Sequence, residues 1–109
     1  MNRTEALEQI VTFGTDRENA YSALAKYGFD SEVEYFVVSK SVLESVLTMY
    51  LTDQITADEL EQWANFVECR ADLNYEAIED YIYAIANPYL VGEINKDKMR
   101  KMVQVLNAT

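Results

Sequence analysis

Thr56-Ala57-Asp58-Glu59-Leu60-Glu61-Gln62-Trp63-Ala64-Asn65-Phe66-Val67-Glu68-Cys69-Arg70 is the stretch on which the fold turns. Thr56 and Glu59 have the spacing of a capping box. The hydroxyl accepts a free first-turn N–H, and the carboxylate three residues on reaches back to the cap. Behind the cap, Leu60, Trp63, Ala64 and Val67 recur at i, i+3, i+4 and i+7, an apolar stripe along one helix face. Asp58, Glu61, Asn65, Glu68 and Asp72 fall opposite. The pattern predicts a helix at about Ala57–Arg70 with one buried face and one acidic face.

The same local logic extends in both directions. Thr15-Asp16-Arg17-Glu18 and Ser31-Glu32-Val33-Glu34 also fit the capping box, and such a cap is typically worth ~1 kcal/mol. Gly14 and Gly28 follow apolar Phe13 and Tyr27, where left-handed helix stops are needed. Pro88 blocks continuation of a helix ending near Ala86 or Asn87. Five further helices are therefore expected, at about Arg3–Phe13, Asp16–Tyr27, Glu32–Thr52, Tyr75–Ala86 and Lys96–Leu106. Tyr35-Phe36-Val37-Val38 is β-rich by propensity. The serine–glutamate cap before it and the helical spacing after it place it within the third helix.

Apolar spacing assigns the faces. The Glu32–Thr52 segment is apolar over a wide arc, from Val38 through Val42, Leu43, Val46 and Leu47 to Leu51, and is expected to be the central buried helix. In Tyr75–Ala86 the stripe is Ile78, Tyr81, Ile82 and Ile85, leaving Glu76, Glu79, Asp80 and Tyr83 outward. The last helix buries Met99, Met102, Val103 and Leu106 and shows Lys98 and Lys101. With only three glycines and one proline in 109 residues, the expectation is an all-α compact bundle of about five to six helices, forming a single domain.

Nineteen acids oppose nine bases, for a net charge of −10. The segment Asp53–Asp80 holds nine acids and one base, Arg70, so it carries −8. Lys96–Lys101 holds four bases and one acid. A field of this sign repels nucleic acid and anionic lipid and attracts basic proteins. No run approaches ~18 consecutive apolar residues, as a membrane span requires. The first residues are not expected to form a secretory signal, and the single cysteine, Cys69, is expected to be a buried or idle thiol in a reducing cytoplasm.

Histidine is absent, which removes the commonest general base and the commonest zinc ligand. One cysteine cannot build a thiolate metal site, and no Gly-rich phosphate loop occurs. Asp72-Leu73-Asn74-Tyr75-Glu76 opens like a calcium loop but puts Ala77 where glycine is needed and Tyr83 where a bidentate glutamate belongs. A paired-carboxylate enzyme stays formally open, but the acids lie on helix surfaces. The expectation is no catalytic residue, no metal and no cofactor.

Binding fits the residues better. Eight tyrosines are present, and tyrosine is a frequent anchor of protein interfaces. The candidate partner-binding residues are Asp58, Glu61, Glu68, Asp72, Glu76, Glu79, Asp80 and Tyr83; Tyr81, on the apolar stripe, is expected in the core. Two readings stand open for Lys96–Lys101: pairing with the acidic face of a second copy, or complementing the last turns of the bundle.

The stretch Gln54–Ala64, then Glu68-x-Arg70-x-Asp72, then Ala86-Asn87-Pro88-Tyr89-Leu90-x-Gly92, resembles small acidic helical immunity proteins of bacteria, of the bacteriocin and contact-dependent growth-inhibition type. The similarity covers around two-thirds of the chain and contains no catalytic motif. It implies a cytoplasmic inhibitor of a cognate toxin domain, a basic nuclease of RNase or tRNase type. The Tyr-Tyr-Pro element of DNase-colicin immunity proteins is absent, its nearest echo being Asn87-Pro88-Tyr89, so no contact residues transfer by position. The alternative is an acidic adaptor or regulatory subunit of a bacterial complex with no toxin partner.

Overall fold

In the computed structural model, which describes residues 1–27 and 31–108, both halves of the Thr56 capping box form. The Thr56 hydroxyl accepts from the Glu59 N–H at 3.1 Å, and the Glu59 carboxylate accepts from the Thr56 N–H at 3.0 Å. The helix they open is Ala57–Glu68, with Leu60, Trp63, Ala64 and Val67 buried as the stripe requires. In chain order the helices are α1 (Arg3–Val11), α2 (Arg17–Leu24), α3 (Lys40–Leu51), α4 (Ala57–Glu68), α5 (Glu79–Ala86), α6 (Pro88–Val91) and α7 (Lys96–Ala108). A 3₁₀ turn, Glu76–Ile78, leads into α5. The architecture of the described residues is thus all-α, apart from two short strands, β1 (Phe36–Val37) and β2 (Leu73–Asn74).

The helices associate as α1 with α2, α3 with α7, and α4 with α5. Their apolar faces meet in one core that includes Leu7, Ile10, Leu43, Leu47, Leu60 and Trp63. The radius of gyration is 13.6 Å, close to the ~13 Å of a compact chain of this length. Trp63 shows how a large core residue keeps its polar atom satisfied: its indole N–H donates to the Val11 carbonyl at 2.9 Å, joining α4 to the end of α1. No helix among the described residues is long and apolar enough to cross a membrane.

Four local expectations need correction. The third helix starts at Lys40, capped by the Ser39 hydroxyl, and the expected helical stretch before it contains β1. There Phe36 and Val37 pair in parallel with Leu73 and Asn74, flanked by bonds from Tyr35 N–H to Asp72 and from Val38 N–H to Asn74. Backbone partners supplied from a distant segment let the β-branched and aromatic run follow its own propensity. Ser31 closes a tight turn, accepting from the Val33 N–H and donating to the Val33 carbonyl, so its hydroxyl caps no helix.

Thr15 does not cap α2 either: the cap position is Asp16, and its N–H is taken by the Gln9 side chain at 3.1 Å. The left-handed residue closing α1 is Phe13, at φ 53°. Gly14 serves space instead, since a Cβ there would sit 1.9 Å from the Gln9 side-chain oxygen. The stop expected at Gly28 lies outside the described residues.

Pro88 ends α5 as expected and also begins α6, at a position where its missing N–H has no helical role. Cys69, at the end of α4, is exposed.

Candidate partner-binding surface

Asp58, Glu61 and Glu68 lie along one side of α4, opposite its buried stripe. At ~1.5 Å of rise per residue the row is about 15 Å long. Asn87, just past α5, ties this row to the next helix: its side-chain N–H₂ donates to the Glu68 carboxylate at 3.3 Å and to the Tyr83 carbonyl at 2.9 Å. Tyr75 lies at the same junction and donates its hydroxyl to the Glu68 carbonyl at 3.4 Å. Burial pushes the Tyr75 phenol above its ordinary pKa, and the negative charges of Glu68 and Glu79 push it further. Glu76, Glu79 and Tyr83 are exposed on the 3₁₀ turn and α5, with Tyr83 49 % exposed. Glu68 is thereby brought beside Tyr75, Asn87 and the Tyr83 backbone, with Glu79 close enough to act on the same phenol; Asp58 and Glu61 continue the acidic side along α4, and Glu76 lies on the turn before α5.

Two of the expected site residues lie elsewhere. Asp72 is fully buried, because α4 ends at Glu68 and the helical period that put Asp72 outward no longer applies. Arg70 grips its carboxylate with two hydrogen bonds, at 2.8 and 2.9 Å, and Arg3 adds a third at 2.9 Å. Arg3 in turn lies over the rings of Tyr27 and Tyr35. Burial alone would raise the Asp72 carboxyl; the hydrogen bonds and charges of Arg70 and Arg3 outweigh it and hold the group below the ordinary aspartate range. Asp72 is a structural anchor of the α1–β2 region and offers nothing to a partner. Asp80 is exposed but lines a separate groove with Lys98 and Lys101.

Tyr89 and Glu93 complete a feature that the helical pattern did not reveal. Together with Asp58 and Glu61 they line a cleft of about 450 Å³ between the start of α4 and α6. Tyr89 is 98 % exposed and Leu90 73 %, so α6 presents an aromatic and an aliphatic side chain almost wholly to solvent. Gly92, at φ 122°, turns the chain out of α6 and thereby brings Glu93 to the cleft. The sequence signal for this feature is proline at a helix start followed by Tyr89-Leu90-Val91.

Asp58, Glu61, Glu76 and Glu79 have no basic side chain within ion-pair distance among the described residues, whereas Asp53 pairs with Lys96 and Asp97 with Arg100. No cluster of three His, Cys, Asp or Glu groups suited to a metal ion occurs among those residues. The acidic strip of α4 and α5 offers spaced carboxylates with tyrosine rings nearby, a surface that can oppose lysines and arginines. No protein-family model matches the chain, and no curated protein or solved structure is significantly similar to it.

Proposed function

We propose that the chain is an immunity-type inhibitor whose acidic strip covers the basic active-site region of a cognate bacterial toxin, a nuclease of RNase or tRNase type. The observation that carries this reading is the set of carboxylates on α4 and α5 with no basic partner among the described residues, with Tyr83 and Tyr89 exposed nearby. A nuclease presents lysine and arginine to phosphate, and carboxylates along a rigid helix can take the place of that phosphate. Long-range attraction speeds encounter, and desolvated aromatic anchors slow dissociation. In this reading the chain acts in the cytoplasm, by occupancy, with no reaction and no cofactor of its own.

The test is co-expression of the tagged chain with its neighbouring genes, followed by identification of what co-purifies. The expected result is one basic toxin domain at near-equal stoichiometry, its killing suppressed, with suppression weakened by a combined Glu61→Lys and Glu79→Lys change. Recovery of a housekeeping assembly that binds the reversed variant equally well would instead favour the acidic adaptor.

A further inference from the structure

On the side of the molecule marked by Asp80 is a second concave surface of different chemistry. Tyr81 from α5, Val91 from α6, and Met102 and Val105 from α7 line an open apolar groove of about 420 Å³. Val91 and Val105 are 51 % and 52 % exposed. The rim is charged, and its signs are divided between the walls: Asp80 stands on the α5 wall, Lys98 and Lys101 on the α7 wall. Lys98 donates to the Glu93 carbonyl at 3.0 Å, which holds its ammonium at the α6 end. These lysines belong to Lys96–Lys101, the basic turn of a chain whose net charge is −10.

We propose that this groove is a self-association site whose occupant is the same groove of a second copy, about a two-fold axis running along its length. Rotation about that axis sets the α5 wall of one copy against the α7 wall of the other, so Asp80 meets Lys98 and Lys101 twice over. An in-plane axis across the groove would set Asp80 against Asp80 and lysine against lysine, which the charges oppose. The basic partner suited to the acidic strip is repelled by the two lysines, and a uniformly acidic one by Asp80. A partner needs both signs on opposite sides of an apolar centre, and the chain itself carries that arrangement. The net negative charge of each copy keeps the pair weak.

Sedimentation velocity of the full chain, from about 5 µM to about 1 mM, tests this directly. The expected result is a monomer–dimer equilibrium that Asp80→Lys and Lys101→Asp each weaken more than tenfold. The combined Asp80→Lys, Lys101→Asp chain should return to near the original affinity, because the swapped charges meet again across the axis. Val105→Asp, on an exposed position, should remove the dimer while leaving the helical circular-dichroism signal intact. A chain that stays monomeric throughout overturns the proposal. So does a dimer indifferent to all these changes, or a double variant as weak as the single ones. A monomer that loses a co-purifying protein on Val105→Asp would assign the groove to that protein and equally overturn self-association.

Discussion

Asp58 and Asp72 count equally in the charge of one acidic segment, yet the chain uses them in opposite ways. Asp58 stands exposed in the first turn of α4, where its charge also favours the helix N-terminus. Asp72, beyond the end of that helix, is buried against Arg70 and Arg3. Without Arg70 and Asp72 the segment still holds eight acids and no base, so the external charge is unchanged while the interior gains an anchor. The difference shows that a helical period assigns faces only as far as the helix lasts.

The sharpest way to break the pair apart is to remove each carboxylate. Asp72→Ala removes the buried carboxylate that Arg70 and Arg3 both grip, a change that typically costs about 3–5 kcal/mol. For a chain of this size that lowers the melting temperature by more than ~12 °C. Asp58→Ala is expected to change stability by no more than ~0.5 kcal/mol, as exposed sites usually do. Thermal and urea unfolding of both variants measure the contrast. Equal losses would mean that the buried triad contributes no more than the surface.

The same comparison extends to pH. Because the folded-state pKa of Asp72 lies below the ordinary aspartate value, the unfolded chain binds more protons in the window between the two. The stabilisation is fully present above about pH 4 and is lost as pH falls through the depressed value. In Asp72→Asn, which keeps the shape and removes the titration, unfolding free energy should fall less steeply between about pH 5 and pH 2. Urea titrations at each pH read the slopes; parallel profiles for the two chains would remove Asp72 from the acid response.

How much of this was legible follows from the range of the forces involved. The α4 cap and stripe depend on residues three and four apart, and both were readable. β1 depends on Phe36 meeting Leu73, a pairing no local pattern encodes. Ser31 and Thr15 carried the cap spacing, but the Ser31 hydroxyl turns to Val33 two residues on, and the cap position of α2 is Asp16, whose N–H goes to the Gln9 side chain. The acidic strip was visible on each helix separately. Its joining through Asn87, and the cleft at Tyr89, depend on how the chain turns at Pro88 and Gly92.

Tyr89 sharpens the contrast from the binding side. Its ring is almost wholly exposed, so Tyr89→Ala should change folding stability by less than ~0.5 kcal/mol. If it anchors the partner, the same change should cost ~2 kcal/mol of affinity, about thirtyfold, mostly through faster dissociation. Calorimetric titration against the captured partner, beside thermal unfolding of the free chain, separates the two. Unchanged affinity would leave Tyr89 outside the interface.

The smallest effect is expected at the rim of the strip, where its kinetic form is diagnostic. Asp58→Lys and Glu61→Lys replace charges that no basic side chain neutralises among the described residues, so neither leaves a buried group unpaired. Each should slow association with a basic partner by a few-fold and flatten its salt dependence, with little change in dissociation. Asp80→Lys, on the groove side, should leave that rate much nearer its original value. Stopped-flow association at several salt concentrations compares the three. An association rate most sensitive to Asp80 would move the partner surface from the α4 side of α5 to the groove, and the acidic strip would then be a solvated face.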